Sequence, residues 1–327
     1  MKAPGFWKAR APTALARLLS PAGAVYGAVT ARRMRRAGVR VGAPVVCVGN
    51  FVAGGAGKTP TAMALARMLT ADGRRVAFLS RGYGGARRAE PALVDPGLHT
   101  AESVGDEPLL LARIAPCWVG PDRVRSARAA VEAGADVLLL DDGLQNPTLA
   151  KDLAIAVVDG EQGFGNGLCV PAGPLRAPLA AQAALVGALV VVGGAEATRR
   201  IVAAVAPGRP TFAATLEPDA VAAAALIGRE VVAFAGIARP EKFYATLRRI
   251  GALIVAQRDF PDHHPFRPRE IEALVEEAAR RGAILVTTEK DRVRLGPAYA
   301  RAVVALPVTL RFEEPFRVRD MLRRVFD

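Results

Sequence analysis

No aspartate or glutamate occurs before Asp72, although the first 71 residues hold 11 lysines and arginines. The 327-residue chain carries a net charge of +13, so the 256 residues beyond that arm carry only +2. The basicity is local. A nucleic-acid binder spreads basic stripes with interleaved aromatics or carries a reader motif. The chain has neither, and no nucleic-acid partner is expected. A localised basic arm fits an anionic membrane surface or an anionic substrate better.

Aromatic residues make up only 6% of a chain that is 51% hydrophobic, so Ala, Val and Leu must build the core. The three cysteines, Cys47, Cys117 and Cys169, lack metal-ligand spacing and read as buried thiols in a reducing compartment. Long clean hydrophobic runs are missing too. The charge-free stretch from Leu18 to Ala31 is broken by Pro21, Gly23 and Gly27 and runs straight into Arg32, Arg33, Arg35 and Arg36. That pattern argues against a signal peptide. The stretch from Ala177 to Ala195 contains Pro178, Gln182 and three glycines. It reads as a buried helix plus strand, and no transmembrane helix is expected.

What is present begins with the arm. Its spacing predicts two short helices. The first runs from near Pro12 to before Pro21, with Leu15, Leu18 and Leu19 on one face. The second has Ser20 as N-cap and Pro21 at its first position. With Phe6, Trp7 and the arginines, the arm has the parts of an interfacial helix. The same residues also fit an arm packed on its own domain with a solvated basic face.

After the arm, short apolar strands alternate with helical stretches, the pattern of a parallel sheet covered on both faces. The expected fold class is α/β: a P-loop NTPase-type sheet domain, plus a smaller second α/β/α domain joined by a short two-strand linker. Residues 1–40 form the arm, 41–210 the nucleotide-binding domain, 211–228 the linker strands and 229–327 the C-terminal α/β domain.

"VAGGAGKTP" (52–60) joins a predicted strand to a predicted helix. Gly54, Gly55, Ala56 and Gly57 let backbone N–H groups approach phosphate, and the helix dipole favours the anion. Lys58 supplies a charge for the β and γ phosphates, the Thr59 hydroxyl can ligate Mg²⁺, and Pro60 follows inside the first turn. Val52 stands where the usual loop has glycine. "VLLLDDGLQN" (137–146) ends an apolar strand with Asp141 and Asp142, where the Mg²⁺ of such a site needs carboxylate. "VGDEPLLLAR" (104–113) brings Asp106 and Glu107 before Pro108, which alone reads as a helix cap. "FPDHHPF" (260–266) holds His263 and His264 beside Asp262. An oriented imidazole, a metal ligand and an idle loop histidine all fit it. "SRGYGG", "GPDR" and "PAGPLR" place Arg81, Arg123 and Arg176 in rigid loops that offer guanidinium forks to phosphate.

In this order, "VGNFVAGGAGKTP", "SRGYGG", "GDEPLLLA", "DDGLQ", "PAGPLR", "FAGIARPEKF", "FPDHHPF" and "TTEKD" resemble the tetraacyldisaccharide 4′-kinase family, the lipid A kinases of Gram-negative bacteria. The resemblance implies transfer of the ATP γ-phosphate to the 4′-hydroxyl of a lipid-linked glucosamine disaccharide 1-phosphate, between two α/β/α domains, at the cytosolic side of the inner membrane. It implies a loop that lacks glycine at 52, and gives Asp106 and His263 to the acceptor hydroxyl. ATP and Mg²⁺ are the implied cofactors, with Thr59 and Asp141 on the metal and Asp142 and Glu107 as second candidates. No obligatory protein partner is implied. The chain departs from the family at Leu144 and Asn146, where Phe and His are common, and at Ala177, where Glu is common. A membrane-associated nucleotide switch and a P-loop kinase of a small soluble metabolite are the rival readings.

Overall fold

The computed structural model describes residues 4–9, 11–86 and 90–327. In chain order the strands of the first half are β1 (Val45–Gly49), β2 (Val76–Ser80), β3 (Ala92–Leu93), β4 (Cys117–Val119), β5 (Val137–Asp141), β6 (Leu153–Asp159) and β7 (Ala188–Val192). The second half adds β8 (Thr211–Pro218), β9 (Glu230–Ala235), β10 (Leu253–Asp259), β11 (Ile284–Thr288), β12 (Val304–Leu306) and β13 (Val308–Phe312). They form a nine-stranded sheet, β13-β8-β7-β6-β1-β5-β2-β4-β3, and a four-stranded sheet, β10-β9-β11-β12. The large sheet is parallel except at its two edge pairs, β13/β8 and β3/β4, and the small sheet is parallel throughout.

The central strands β1, β2, β5 and β7 are buried at every residue, as continuous Val/Leu runs in a sheet covered on both sides must be. Two apolar clusters fill the large sheet's faces, one around Leu65, Phe78 and Leu139, the other around Phe51, Leu79 and Leu138. β1 lies between β5 and β6, so the order reverses at β1. Ligands of open α/β sheets bind at that switch point, beyond the strands' carboxyl ends.

The boundary expected at 229–327 is corrected by the topology. β13 returns to the large sheet and pairs antiparallel with β8, Val308 opposite Pro218 and Phe312 opposite Ala214. The following helix, Pro315–Arg323, buries Val318 and Leu322 in the first domain's core. The small sheet unit is thus an insertion between β8 and β13. The two linker strands are β8 and this returning strand; after β8, residues 220–224 are helical. Alternation in "VTLRF" is visible in sequence, but nothing local says which sheet it joins.

The two short helices of the arm are one, α1 (Ala14–Met34), capped by the Thr13 side chain and carrying Pro21 inside. Proline in a helix interior removes a hydrogen bond and costs about 3 kcal/mol. The carbonyl left free is that of Arg17, and the Ser20 hydroxyl donates to it at 2.7 Å. Gly23 and Gly27 let the helix lie against the 169–178 segment: a Cβ on Gly23 would sit 2.7 Å from the Cys169 carbonyl oxygen. Continuity sets Leu15, Leu18, Val25 and Val29 in one stripe at helical spacing, each at least half exposed.

Candidate active site

The phosphate loop leaves β1 and enters α2 (Lys58–Ala71) through Gly57, whose φ of 87° is left-handed. Gly54, at φ 121°, turns the loop. Val52 needs no glycine: it is extended, bridged antiparallel to Leu175, with Ala53 N–H donating to the Pro174 carbonyl at 2.7 Å. The "PAGPLR" loop thus holds the start of the phosphate loop by main-chain bonds. Lys58 Nζ lies 3.4 Å from the Gly54 carbonyl and 3.8 Å from Asp142 Oδ2.

β1 and β5 pair with Val48 opposite Asp141, so the strand-end carboxylate arrives beside the loop. The Thr59 hydroxyl donates to Asp141 Oδ2 at 3.3 Å, while buried Asp141 Oδ1 has no partner among the described residues. Burial, then the charges of Glu107 and Asp142, push the Asp141 carboxyl up to about 7 against the pull of Lys58. An orphaned buried oxygen next to a hydroxyl fits a Mg²⁺, which takes one or two protein oxygens and the rest from phosphate and water. Asp142 is already engaged: Arg176 clasps both its oxygens at 2.7 and 3.0 Å and reaches the Val52 carbonyl with Nε at 3.1 Å. Arg176, whose loop the sequence offers to phosphate, ties Asp142 to the phosphate loop.

Asp106 and Glu107 lie in the first turn of the short helix Asp106–Leu111, whose N-cap is Gly105, so neither is the cap that the motif alone suggested. Their side chains do more. Asp106, 4% exposed, takes His263 Nδ1 at 3.0 Å and Arg294 Nε at 2.8 Å on Oδ2. Its Oδ1 accepts the Glu107 N–H at 2.9 Å. Burial would raise this carboxyl, but the His263 bond and the charges of Lys290 and Arg294 outweigh it and hold it well below the usual carboxylate range. Lys290 donates to Glu107 Oε1 at 3.1 Å and lies 3.4 Å from His263 Nε2. Burial works against its charge, yet Glu107, Asp106 and Asp262 raise its pKa. His263 and Asp142 are the non-glycine residues with left-handed φ among the described residues, 58° and 53°. Such backbone clusters at functional sites. His264 turns away, bonding Glu270 at 2.8 Å and stacking on Phe260.

Arg81 is exposed. Arg123 is 6% exposed and, among the described residues, has neither a hydrogen bond nor an ion pair. Burial and nearby Arg81 push its pKa below the ordinary value. Asp142 and Asp141 pull the other way, and with its Nε unbonded among the described residues the guanidinium can offer a donor to an anion. Of the departures, Leu144 packs over Gly49, where a Cβ would meet it at 2.5 Å. Asn146 Oδ1 accepts from Thr148 N–H and hydroxyl at 2.8 and 2.7 Å, and buried Ala177 offers its carbonyl to Gln182.

A family profile described as tetraacyldisaccharide-1-P 4′-kinase matches residues 15–327. The chain belongs to this family. It is 58% identical over 311 residues to the tetraacyldisaccharide 4′-kinase of Methylobacterium sp. (strain 4-46), covering 95% of this chain and 93% of that one. It is 52% identical to the protein of the same name from Rhodopseudomonas palustris (strain BisB18), covering 98% and 95%. The crystal structure of LpxK from Aquifex aeolicus in complex with ATP superposes with a TM-score of 0.75 at 28% identity, over 96% of this chain and all of that one. The family reading accounts for the eight stretches quoted above, but three of them held functional-looking side chains that the sequence left without a role. Lys290, in "TTEKD" on the short helix Glu289–Arg292, and Arg294, in the turn just after it, both reach the Asp106–Glu107 pair. Gln145 of "DDGLQ" donates to the Asn50 carbonyl and to Gln182, each at 2.8 Å. A second clasp also escaped notice: Arg239 and Lys242 of the small unit meet Asp159 at 2.7 and 2.8 Å.

Proposed function

We infer that the chain is an ATP-dependent kinase that phosphorylates the 4′-hydroxyl of a tetraacylated disaccharide 1-phosphate, a step of lipid A biosynthesis. Its membership of the family supports this, and one arrangement carries the mechanism. A phosphate loop with Lys58, Thr59 and Asp141 on the large sheet meets a His263–Asp106 pair that spans both sheet units.

Gly54, Gly55, Ala56, Gly57, Lys58, Thr59 and Pro60 form the ATP-binding turn. Thr59 and Asp141 hold Mg²⁺, which when bound offsets charge on the phosphates. Asp142 and Glu107 stand behind them, neutralised by Arg176 and Lys290. Phosphoryl transfer leaves the protein mainly positioning and electrostatics. Asp106 accepts from His263 Nδ1, which leaves the Nε2 lone pair for the acceptor's proton. The sugar O–H bond breaks toward Nε2, its oxygen bonds to the γ-phosphorus, and the bond to the β-phosphate oxygen breaks to release ADP. A positioned base contributes about 10²–10⁴ in rate. Arg81 and Arg123 receive the substrate's anionic group.

Among the described residues no helix is long and apolar enough to cross a membrane. The exposed apolar stripe of α1, next to exposed Arg32, Arg33, Arg35 and Arg36, favours a peripheral seat on the cytoplasmic face of the inner membrane. A kinase of soluble metabolites has no use for that stripe. The test is ADP formation with and without the tetraacylated disaccharide 1-phosphate in detergent micelles. Lipid-dependent ADP release is expected, and turnover indifferent to the lipid rejects the reading.

A further inference from the structure

Lys290 sits where the two halves of the site meet. Its ammonium lies 3.1 Å from Glu107 Oε1, 3.4 Å from His263 Nε2 and 4.0 Å from Asp106 Oδ2. An ammonium has three donors and no acceptor. A bond to Nε2 therefore requires a lone pair there and puts the ring proton on Nδ1, where the Asp106 carboxylate accepts it. Asp262 Oδ1 is farther from Nε2, at 3.9 Å, so these two contacts select the tautomer with its lone pair on Nε2, which the acceptor's proton takes once the Lys290 N–H turns to the acceptor oxygen.

We propose that Lys290 is a positioning residue for the phosphoryl transfer: it fixes the His263 tautomer and holds one N–H donor at the place where the acceptor oxygen must meet Nε2. Glu107 takes a second N–H and keeps the ammonium from swinging away. As the sugar O–H proton passes to Nε2, the oxygen gains negative charge within reach of the Lys290 donor. The imidazolium then formed is balanced by Asp106, and the adjoining ammonium by Glu107. Arg294 has a different part. Its fork joins Asp106 to the Gly236 carbonyl and Asp291 at 2.8 Å each, within the small unit. It secures the carboxylate and makes no contact with the ring.

The inference rests on His263 being the proton acceptor, so His263→Ala is measured beside it. Lys290→Met keeps the length of the side chain and removes charge and donors. Its kcat is expected to fall about 10²-fold, with KM for ATP and for the lipid within about threefold of wild type. Adding Lys290→Met to His263→Ala should cost little more, because both act through one ring. In Lys290→Ala, ethylammonium should restore turnover and tetramethylammonium, which has no N–H, should not. A merely structural lysine would answer to neither salt. Lys290→Leu, which likewise has no donor, serves if the Met variant does not fold, with the same fall in kcat expected. A kcat near wild type in Met or Leu, a loss confined to KM for ATP, or equal rescue by both salts overturns the proposal. If His263→Ala also keeps its kcat, the proton-acceptor reading falls; if it alone loses kcat, only the role of Lys290 falls.

Discussion

The Thr59 hydroxyl donates to one oxygen of Asp141, and the other, buried, faces no partner among the described residues. The proposed Mg²⁺ would answer that arrangement, and the Asp141 proton would have to leave before it binds. With the carboxyl pushed up to about 7, apparent Mg²⁺ affinity should weaken by up to about tenfold per pH unit below that point. Titrating Mg²⁺-dependent ATP binding between pH 5.5 and 8.5 checks this. A flat profile would remove Asp141 from the metal.

The same shift has a consequence for stability. A carboxyl raised in the folded state holds a proton that the unfolded chain has already released. Metal-free protein should therefore lose stability as pH rises from the ordinary carboxylate range to about 7, and Mg²⁺ should restore it. Asp141→Asn removes that penalty. At pH 8 without metal its Tm should rise by roughly 2–5 °C, while Mg²⁺-dependent turnover is lost. Differential scanning fluorimetry at pH 5 and pH 8 separates the two effects.

Three arginines read alike in the sequence should behave differently. Arg176→Ala frees Asp142 and the Val52 carbonyl, so it should weaken ATP binding. Arg81→Ala and Arg123→Ala should leave ATP affinity intact and raise KM for the lipid, about tenfold for the buried Arg123, whose Nε is unbonded among the described residues. Isothermal titration with ATP and steady-state kinetics with lipid distinguish the two groups.

The two faces of α1 should also separate. Leu18→Asp or Val25→Asp on the exposed stripe should reduce sedimentation with anionic vesicles and leave Tm unchanged. Gly23→Val, pressed against the Cys169 carbonyl, should lower Tm, since the backbone it meets cannot yield. Vesicle binding unaffected by either aspartate would take the membrane role from this helix.

The sequence displayed the chemistry more fully than the architecture. Gly54, Gly57, Lys58, Thr59 and Asp141 are legible because a strand–loop–helix order fixes their relative places whatever surrounds them. The His263–Asp106 meeting, 157 residues apart, entered through the family resemblance, since no local spacing brings them together. Pro21 misled because its cost is offset by a hydroxyl one residue away, a detail that rotamers decide. The Arg176–Asp142 bond stayed hidden because a loop guanidinium looks the same whether it awaits a phosphate or holds an aspartate. The return of β13 to the large sheet depends on edge pairing across more than 90 residues, which periodicity does not encode.

The central role proposed for the His263–Asp106 pair, which joins the two sheet units, is to take the acceptor's proton. Single-turnover transfer of labelled γ-phosphate to the lipid, measured in wild type, His263→Ala and Asp106→Ala with ATP saturating, tests it directly. The transfer rate should fall about 10²–10⁴-fold in each variant while ATP affinity stays within about threefold of wild type. Transfer at the wild-type rate in either variant would contradict it.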